Sequence, residues 1–300
     1  MVIMENSDLR LKIESDKYIL EDSQSCSVRS IYPIDRLLWC GESNFCDKLL
    51  IAESDDYGRM LFTDGELQSS SFDEKIYHEH LVHPCMSIYY SLYEKRELNI
   101  LILGGGEGST TRELLKYPKE IVNKIVWIDI DKDLVNLCRV HLKYCDSDVY
   151  DDDRVCLLYD DANTFLDCSV DKFDIVICDL PDPWMNNGDG LYSDKFWSDL
   201  TRVTNDSHVI VSHLGPISPG KKNFDLCNNL VSKLQLDSNN YKLGKVFIPS
   251  YMSEWLYLYF VLNHSIRDMK LNVDNLPNNL SILEAENLNN FFSFPKYYNA

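Results

Sequence analysis

Acidic side chains close one apolar run after another from about residue 100 onward. Glu107 follows Ile100–Leu103, Asp129 closes Ile125–Ile130, Asp161 follows Val155–Leu158, and Asp179 ends Asp174–Asp179, with Asp182 just beyond. Each run reads as a strand, and in an open α/β sheet the ligand sits outside the carboxyl ends of the strands. Carboxylates gathered there raise one another's pKa and cost stability, so a structural protein has no reason to collect them. The chemistry they suit is recognition of something cationic. Lone acids such as Asp151–Asp153 read as loop-solvating residues.

Glu107 sits in LILGGGEGSTTR, residues 101–112, where an apolar strand breaks into glycines and a helix follows. Residues without Cβ let the backbone approach a nucleotide above the sheet. The dinucleotide spacing is not met, because Ser109 follows Gly104, Gly106 and Gly108. GGGEGS suits an adenosyl sulfonium, which has no pyrophosphate and whose cationic end favours Glu107. Asp129 lies where a carboxylate can take both hydroxyls of a ribose.

These positions need a frame. Residues 1–75 read as short strands and turns: Lys48–Ala52, Arg59–Thr63 and Glu66–Ser70, with Asp64-Gly65 a hairpin signal. This predicts a small N-terminal antiparallel β-domain. Segment 72–95 has apolar residues at helical spacing, Ile76, Leu81, Val82 and Met86, with Pro84 expected to bend or interrupt it. From residue 98, strands at 99–103, 124–130, 155–158, 174–179, 208–212 and 245–248 alternate with helices at 109–117, 132–143, 162–167, 192–203 and 222–236. That pattern predicts an α/β, Rossmann-like, mostly parallel sheet over residues 76–300. Trp255–Leu262 would add an antiparallel edge hairpin, and 272–290 reads as loop with a short amphipathic helix.

Three hundred residues with 45% hydrophobic content build a proper core. The formal charge of −19 repels nucleic acid and attracts small cations. Ten scattered cysteines show neither CxxC nor Cys/His metal spacing and read as free thiols of a reducing compartment. No signal-peptide core or bilayer-length apolar span is present, so a soluble, cytoplasmic chain without membrane contact is expected.

ICDLPDPW (177–184), GGGEGSTTRE (104–113), YHEHLVHP (77–84), DGELQSSSFDE (64–74) and IPSYMSEW (248–255) together resemble the polyamine aminopropyltransferases, the spermidine synthase family. The resemblance runs from about residue 44 to the end. DLPDP and GGGEGS are most similar to the subgroup with thermospermine synthase and the agmatine or long-chain triamine enzymes. It implies transfer of an aminopropyl group from decarboxylated S-adenosylmethionine, a co-substrate, to a polyamine such as spermidine, with release of methylthioadenosine. No further cofactor or metal is implied, and a homodimer is the family habit. Putrescine, agmatine or a longer amine are alternative acceptors. A methyltransferase on the same fold and an inactive polyamine-binding homologue are the rival readings.

By this resemblance Asp179 is the catalytic aspartate with Tyr77 beside it. Asp129 takes the ribose, Asp161 and Ala162 the adenine, and Glu107 and His78 the aminopropyl side of the donor, with Gly104 and Gly106 in its turn. Asp182, Tyr251 and Gln68 wall the acceptor. An ammonium of pKa about 10.4 must lose a proton before attack, which costs roughly 4 to 5 kcal/mol at pH 7. Asp179 would accept the N–H and aim the lone pair at the sulfonium-bound carbon, and Tyr77 would serve as a second acceptor. In-line positioning is worth about 7 to 11 kcal/mol more.

Three positions depart from the family pattern. Asp47 stands where a donor-contacting Gln is usual, His213 where a Gln commonly follows the strand, and Leu256 follows Trp255 where many relatives have Gly. Asp47 and His213 could pair or tune acceptor choice. His80 and His83 read as helix-surface or capping residues rather than metal ligands. Tyr89, Tyr90 and Tyr93 read as packing residues.

Overall fold

Apolar runs with little polar alternation require cover on both faces, and the fold supplies it. The computed structural model describes residues 12–14, 17–22, 30–146, 148–181, 190–217 and 222–294. Strands β1 (Lys12–Glu14), β2 (Lys17–Asp22) and β3 (Ser30–Ile34) form an antiparallel sheet. A second antiparallel sheet follows: β4 (Arg36–Gly41), β5 (Leu49–Ser54), β6 (Gly58–Thr63) and β7 (Glu66–Ser70). Helix α1 (Glu74–Leu92) leads to the large sheet.

That sheet contains β8 (Leu98–Gly104), β9 (Val122–Asp129), β10 (Val155–Tyr159), β11 (Phe173–Asp179), β12 (Thr204–Pro216), β13 (Tyr241–Ile248) and β14 (Ser253–Phe260), in the order β10-β9-β8-β11-β12-β14-β13. The first five in that order are parallel, and β14 and β13 complete it as an antiparallel hairpin. Helices α2 (Ser109–Leu115), α3 (Lys132–Leu137), α4 (Asp148–Asp151), α5 (Ala162–Cys168), α6 (Asp194–Arg202), α7 (Lys222–Lys233) and α8 (Leu288–Phe291) accompany it.

Successive strand residues point to opposite faces. Ile100, Ile102, Trp127, Ile175, Val209 and Tyr257 pack with α1 residues Leu81, Cys85 and Ile88 on one face. Leu101, Leu103, Val126, Val176, Ile210 and Leu258 pack with Leu166, Phe196, Leu200 and Leu230 on the other. Both layers bury the central strands, while edge strand β10 leaves Leu158 and Tyr159 exposed; this packing fixes the strand ends that carry the acids.

Pro84 does not interrupt α1. A proline leaves the carbonyl four residues earlier without its helical donor. Here that carbonyl belongs to His80, and the Tyr259 hydroxyl of β14 donates to it. The helix expected to reach 143 instead changes at Cys138–Leu142 into a π-helical turn. Arg59 Nη1 donates to the His141 carbonyl of that turn at 2.6 Å, tying it to the four-stranded sheet.

Candidate active site

Strand order reverses at β8, which pairs with β9 on one side and β11 on the other, and a crevice opens at such a point. Asp179 at the end of β11 is in register with Gly104 at the end of β8. Gly104 has φ +82°, and a Cβ there would lie 2.0 Å from the Asp179 carbonyl oxygen. The Gly105 amide donates to that same oxygen at 2.9 Å. A Cβ on Gly106 would strike Leu134 at 2.4 Å, so the turn is as closely packed against α3 as against β11.

A cavity of about 480 Å³ lies here, within the range of small-ligand sites. Gln68, Tyr77, His78, Gly104, Gly106, Glu107, Asp129, Asp161, Ala162, Asp179 and Tyr251, all singled out from the sequence, line it. Asp47 does not. It is exposed, and its neighbours Phe45 and Cys46 face the cavity instead, since Cys46 packs inward with Leu49 and Leu61. Asp182 and Trp184 lie outside the described residues.

Both oxygens of Asp179 are held. The Tyr77 hydroxyl donates to Oδ1 at 2.7 Å and Thr110 Oγ1 donates to Oδ2 at 2.6 Å. Burial, reinforced by the Asp179 charge, pushes the Tyr77 pKa far up, so this side chain stays a phenol. Tyr77 therefore donates to Asp179, and its hydroxyl oxygen keeps lone pairs for the second-acceptor part expected from the sequence. Thr110 was not anticipated, because nothing in the sequence distinguishes it from Thr111.

Asp129 is 9% exposed, and its carboxyl is raised to about 7. Burial is the main cause; the charges of Asp131, Asp179 and Glu107 add to it, against the Asp131 amide bonded to Oδ1 at 2.8 Å. Glu107 Oε1 is buried without a partner among the described residues. Such an oxygen leaves a desolvation penalty that a cationic ligand can relieve. Asp161 caps α5 by accepting from the Thr164 amide at 2.9 Å, which sets its carboxylate at the cavity wall.

The turn Pro249–Tyr251 is pinned to the start of α1, where Asp73 accepts from the Ser250 amide at 2.6 Å and its hydroxyl at 2.8 Å. Tyr251 donates to the Gln68 carbonyl, joining β7 to this turn. Trp255 lies tilted against Tyr251, centroids 4.6 Å apart, and His213 stacks on Trp255 at 6.0 Å. His213 is buried, with Nε2 bonded to the Leu180 carbonyl at 2.5 Å, in surroundings unlike those of exposed Asp47.

His80 and His83 are not surface residues. Both are buried; Nδ1 of His80 bonds the Ile76 carbonyl at 2.7 Å, and His83 bridges Tyr117 and Glu113 at 2.9 Å each. A helix covered on most of its circumference has no polar face, which the apolar spacing alone did not reveal. Tyr89 is fully buried and packs against Tyr90 and Tyr93, as expected. Among the described residues no group of three or more His, Cys, Asp or Glu is placed to hold a metal ion. None of the described helices is long and apolar enough to cross a membrane.

The fold is that of a crystal structure of spermidine synthase in complex with the transition state analogue AdoDATO: TM-score 0.82, 22% identity, 97% of this chain and 96% of that one. A spermidine synthase from Thermotoga maritima gives a TM-score of 0.80 at 21% identity, covering 97% and 95%. In sequence, a polyamine aminopropyltransferase of Aeropyrum pernix is 35% identical over 74% of this chain and 68% of its own length. One from Pyrobaculum calidifontis is 38% identical over 56% of this chain, and the match spans 57% of that relative. Residues 74–271 match the family described as the spermine/spermidine synthase domain, and they contain the glycine turn, Tyr77, Asp129 and Asp179. The chain belongs to the spermine/spermidine synthase domain family.

Proposed function

We propose that the protein is an aminopropyltransferase. It moves the aminopropyl group of decarboxylated S-adenosylmethionine to an amine nitrogen of a polyamine and releases methylthioadenosine. The observation that carries this is Asp179, held at both oxygens by Tyr77 and Thr110 in a cavity that Glu107 and Asp129 also line. Asp129 takes the ribose hydroxyls, Asp161 and Ala162 the adenine, and Glu107 with His78 the cationic chain. The amine lone pair forms the new C–N bond as the C–S bond breaks, its electrons passing to sulfur. The amine's proton leaves by way of Asp179.

Spermidine is the favoured acceptor, giving thermospermine, on the strength of GGGEGS and DLPDP. Gln68 and Tyr251 wall the acceptor, with Asp182 at the loop after β11. We place the boundary of the N-terminal β-domain at residue 75 and read the enzyme as a cytoplasmic homodimer, in keeping with its unpaired described cysteines. Chromatography with tandem mass spectrometry, which separates the isomeric tetraamines, of products from putrescine, agmatine, spermidine and spermine tests the assignment. Thermospermine from spermidine supports it; spermine from spermidine keeps the acceptor and changes the nitrogen modified; spermidine from putrescine replaces the acceptor; no amine product rejects the enzyme.

A further inference from the structure

A line of buried charges leads from the cavity into the protein. Glu74 opens α1 and is not among the residues lining the cavity. Arg112 of α2 grips it, Nη1 on Oε1 at 2.9 Å and Nη2 on Oε2 at 2.8 Å. Glu74 presents Oε2 and its carbonyl oxygen to Nδ1 of His78 at 3.0 and 2.7 Å. The other ring nitrogen, Nε2, lies 3.8 Å from Oε2 of Glu107.

Two acceptors at Nδ1 require a proton there. A neutral ring would then turn a lone pair toward the Glu107 carboxylate, whereas a doubly protonated ring offers N–H to both acids. We propose that Glu74 is a positioning residue for the sulfonium donor: without touching it, Glu74 keeps His78 in the doubly donating form that fixes Glu107. This rests on the proposed function, in which Glu107 faces the donor's cationic chain.

The other groups around His78 do not supply this role. Arg112 is a fixed cation committed to Glu74, to Glu113 at 2.9 Å and to the Tyr144 carbonyl at 3.1 Å. Tyr77, Tyr144 and Tyr251 remain phenols and Cys145 a thiol, each driven up by burial. Asp129 and Asp179 line the cavity but are engaged with the Asp131 amide and with Tyr77 and Thr110. Burial works against a charged His78, but the bond and charge of Glu74 and the nearby charge of Glu107 outweigh it and push the ring up to about 10. With the Glu74 charge gone and Arg112 still positive, burial prevails.

The test is calorimetric titration of full-length wild type and Glu74→Gln with decarboxylated S-adenosylmethionine and with methylthioadenosine, which lacks the cationic chain. At each pH the variant binds methylthioadenosine within about twofold of wild type, because that ligand makes no demand on the Glu107 charge. For the sulfonium donor the variant is within about threefold at pH 6 and at least about tenfold weaker at pH 8.5, as a deprotonating histidine requires. Its KM for donor rises over that range while kcat holds. A variant-to-wild-type ratio for the donor that does not change with pH overturns the role of Glu74 and leaves the donor site standing. Failure of wild type to bind the sulfonium donor at all removes both. A readout free of the Glu74 variant is histidine NMR on the wild type, with His78 identified by its loss in His78→Gln. Its ring stays protonated beyond pH 9; a midpoint near the ordinary value of about 6.5 overturns the inference.

Discussion

Gly104 and Asp179 meet backbone to backbone: a β-carbon on the first would sit 2.0 Å from the carbonyl oxygen of the second. That contact sets the distance between the glycine turn and the strand end that carries the Asp179 carboxylate. Gly104→Ala must also hold φ near +82°, which costs about 1 to 2 kcal/mol before the clash is counted. We expect a lower melting temperature and loss of methylthioadenosine binding together. An alanine variant that binds the nucleoside as wild type does would contradict the close packing of this turn.

Tyr77→Phe removes the hydroxyl bonded to Asp179 Oδ1 and leaves the ring's packing against Tyr257 and Trp255. A hydrogen bond to a charged group is worth about 1.5 to 3 kcal/mol, so kcat should fall roughly 10- to 150-fold. Donor affinity should change little. Steady-state kinetics separate the two, and a rise in donor KM with kcat intact would reassign Tyr77 to donor binding.

Asp129 predicts a pH dependence for nucleoside binding. Its carboxyl stands at about 7 in the free protein, yet it must be ionised to accept from ribose hydroxyls. Binding therefore releases a proton below that pH. Affinity for methylthioadenosine is at its plateau above pH 7 and falls as pH drops, approaching tenfold per unit. Asp129→Asn should weaken binding at pH 8 and flatten the profile. A wild-type affinity that is level from pH 5.5 to 8 would sink this assignment.

Glu79 is completely buried and accepts from the amides of Ser281, Ile282 and Leu283 at 2.7, 2.9 and 2.8 Å, with Lys116 at 3.5 Å. The carboxylate thereby fastens the C-terminal segment to α1. Glu79→Ala strands those donors and should cost about 3 to 5 kcal/mol in urea unfolding. Limited proteolysis should then cut near residues 272–290 before the sheet. Resistance equal to wild type would show that the segment is held by its apolar contacts alone.

Turnover should rise toward alkaline pH, since the attacking amine is mostly protonated near neutrality. A flat profile from pH 6 to 9 in a chemistry-limited assay would argue against Asp179 as the group that takes the amine's proton.

The large sheet was legible because its strands are unbroken apolar runs and its turns end in glycine or acid, so periodicity and strand ends coincide. Gly104, Glu107, Asp129 and Asp179 followed from that coincidence. What escaped depends on partners far along the chain. Pro84 reads as a break until Tyr259 of β14 reaches the orphaned His80 carbonyl. His83 reads as surface until Glu113 and Tyr117 enclose it. Thr110 and Glu74 act through bonds to residues 69 and 38 positions away, to Asp179 and Arg112. Spacing within one element carries no trace of such contacts. Asp47 failed for a local reason: a one-residue shift exchanges inward Cys46 for an outward carboxylate.

Methylthioadenosine formed from decarboxylated S-adenosylmethionine and spermidine, in wild type and Asp179→Asn side by side, is the most direct measurement. Wild type should turn over repeatedly, and the variant should bind the donor but lose about 10²- to 10⁴-fold in rate, the range of proton-transfer catalysis. No nucleoside from wild type, or equal rates from both proteins, would mean that these carboxylates do not perform aminopropyl transfer.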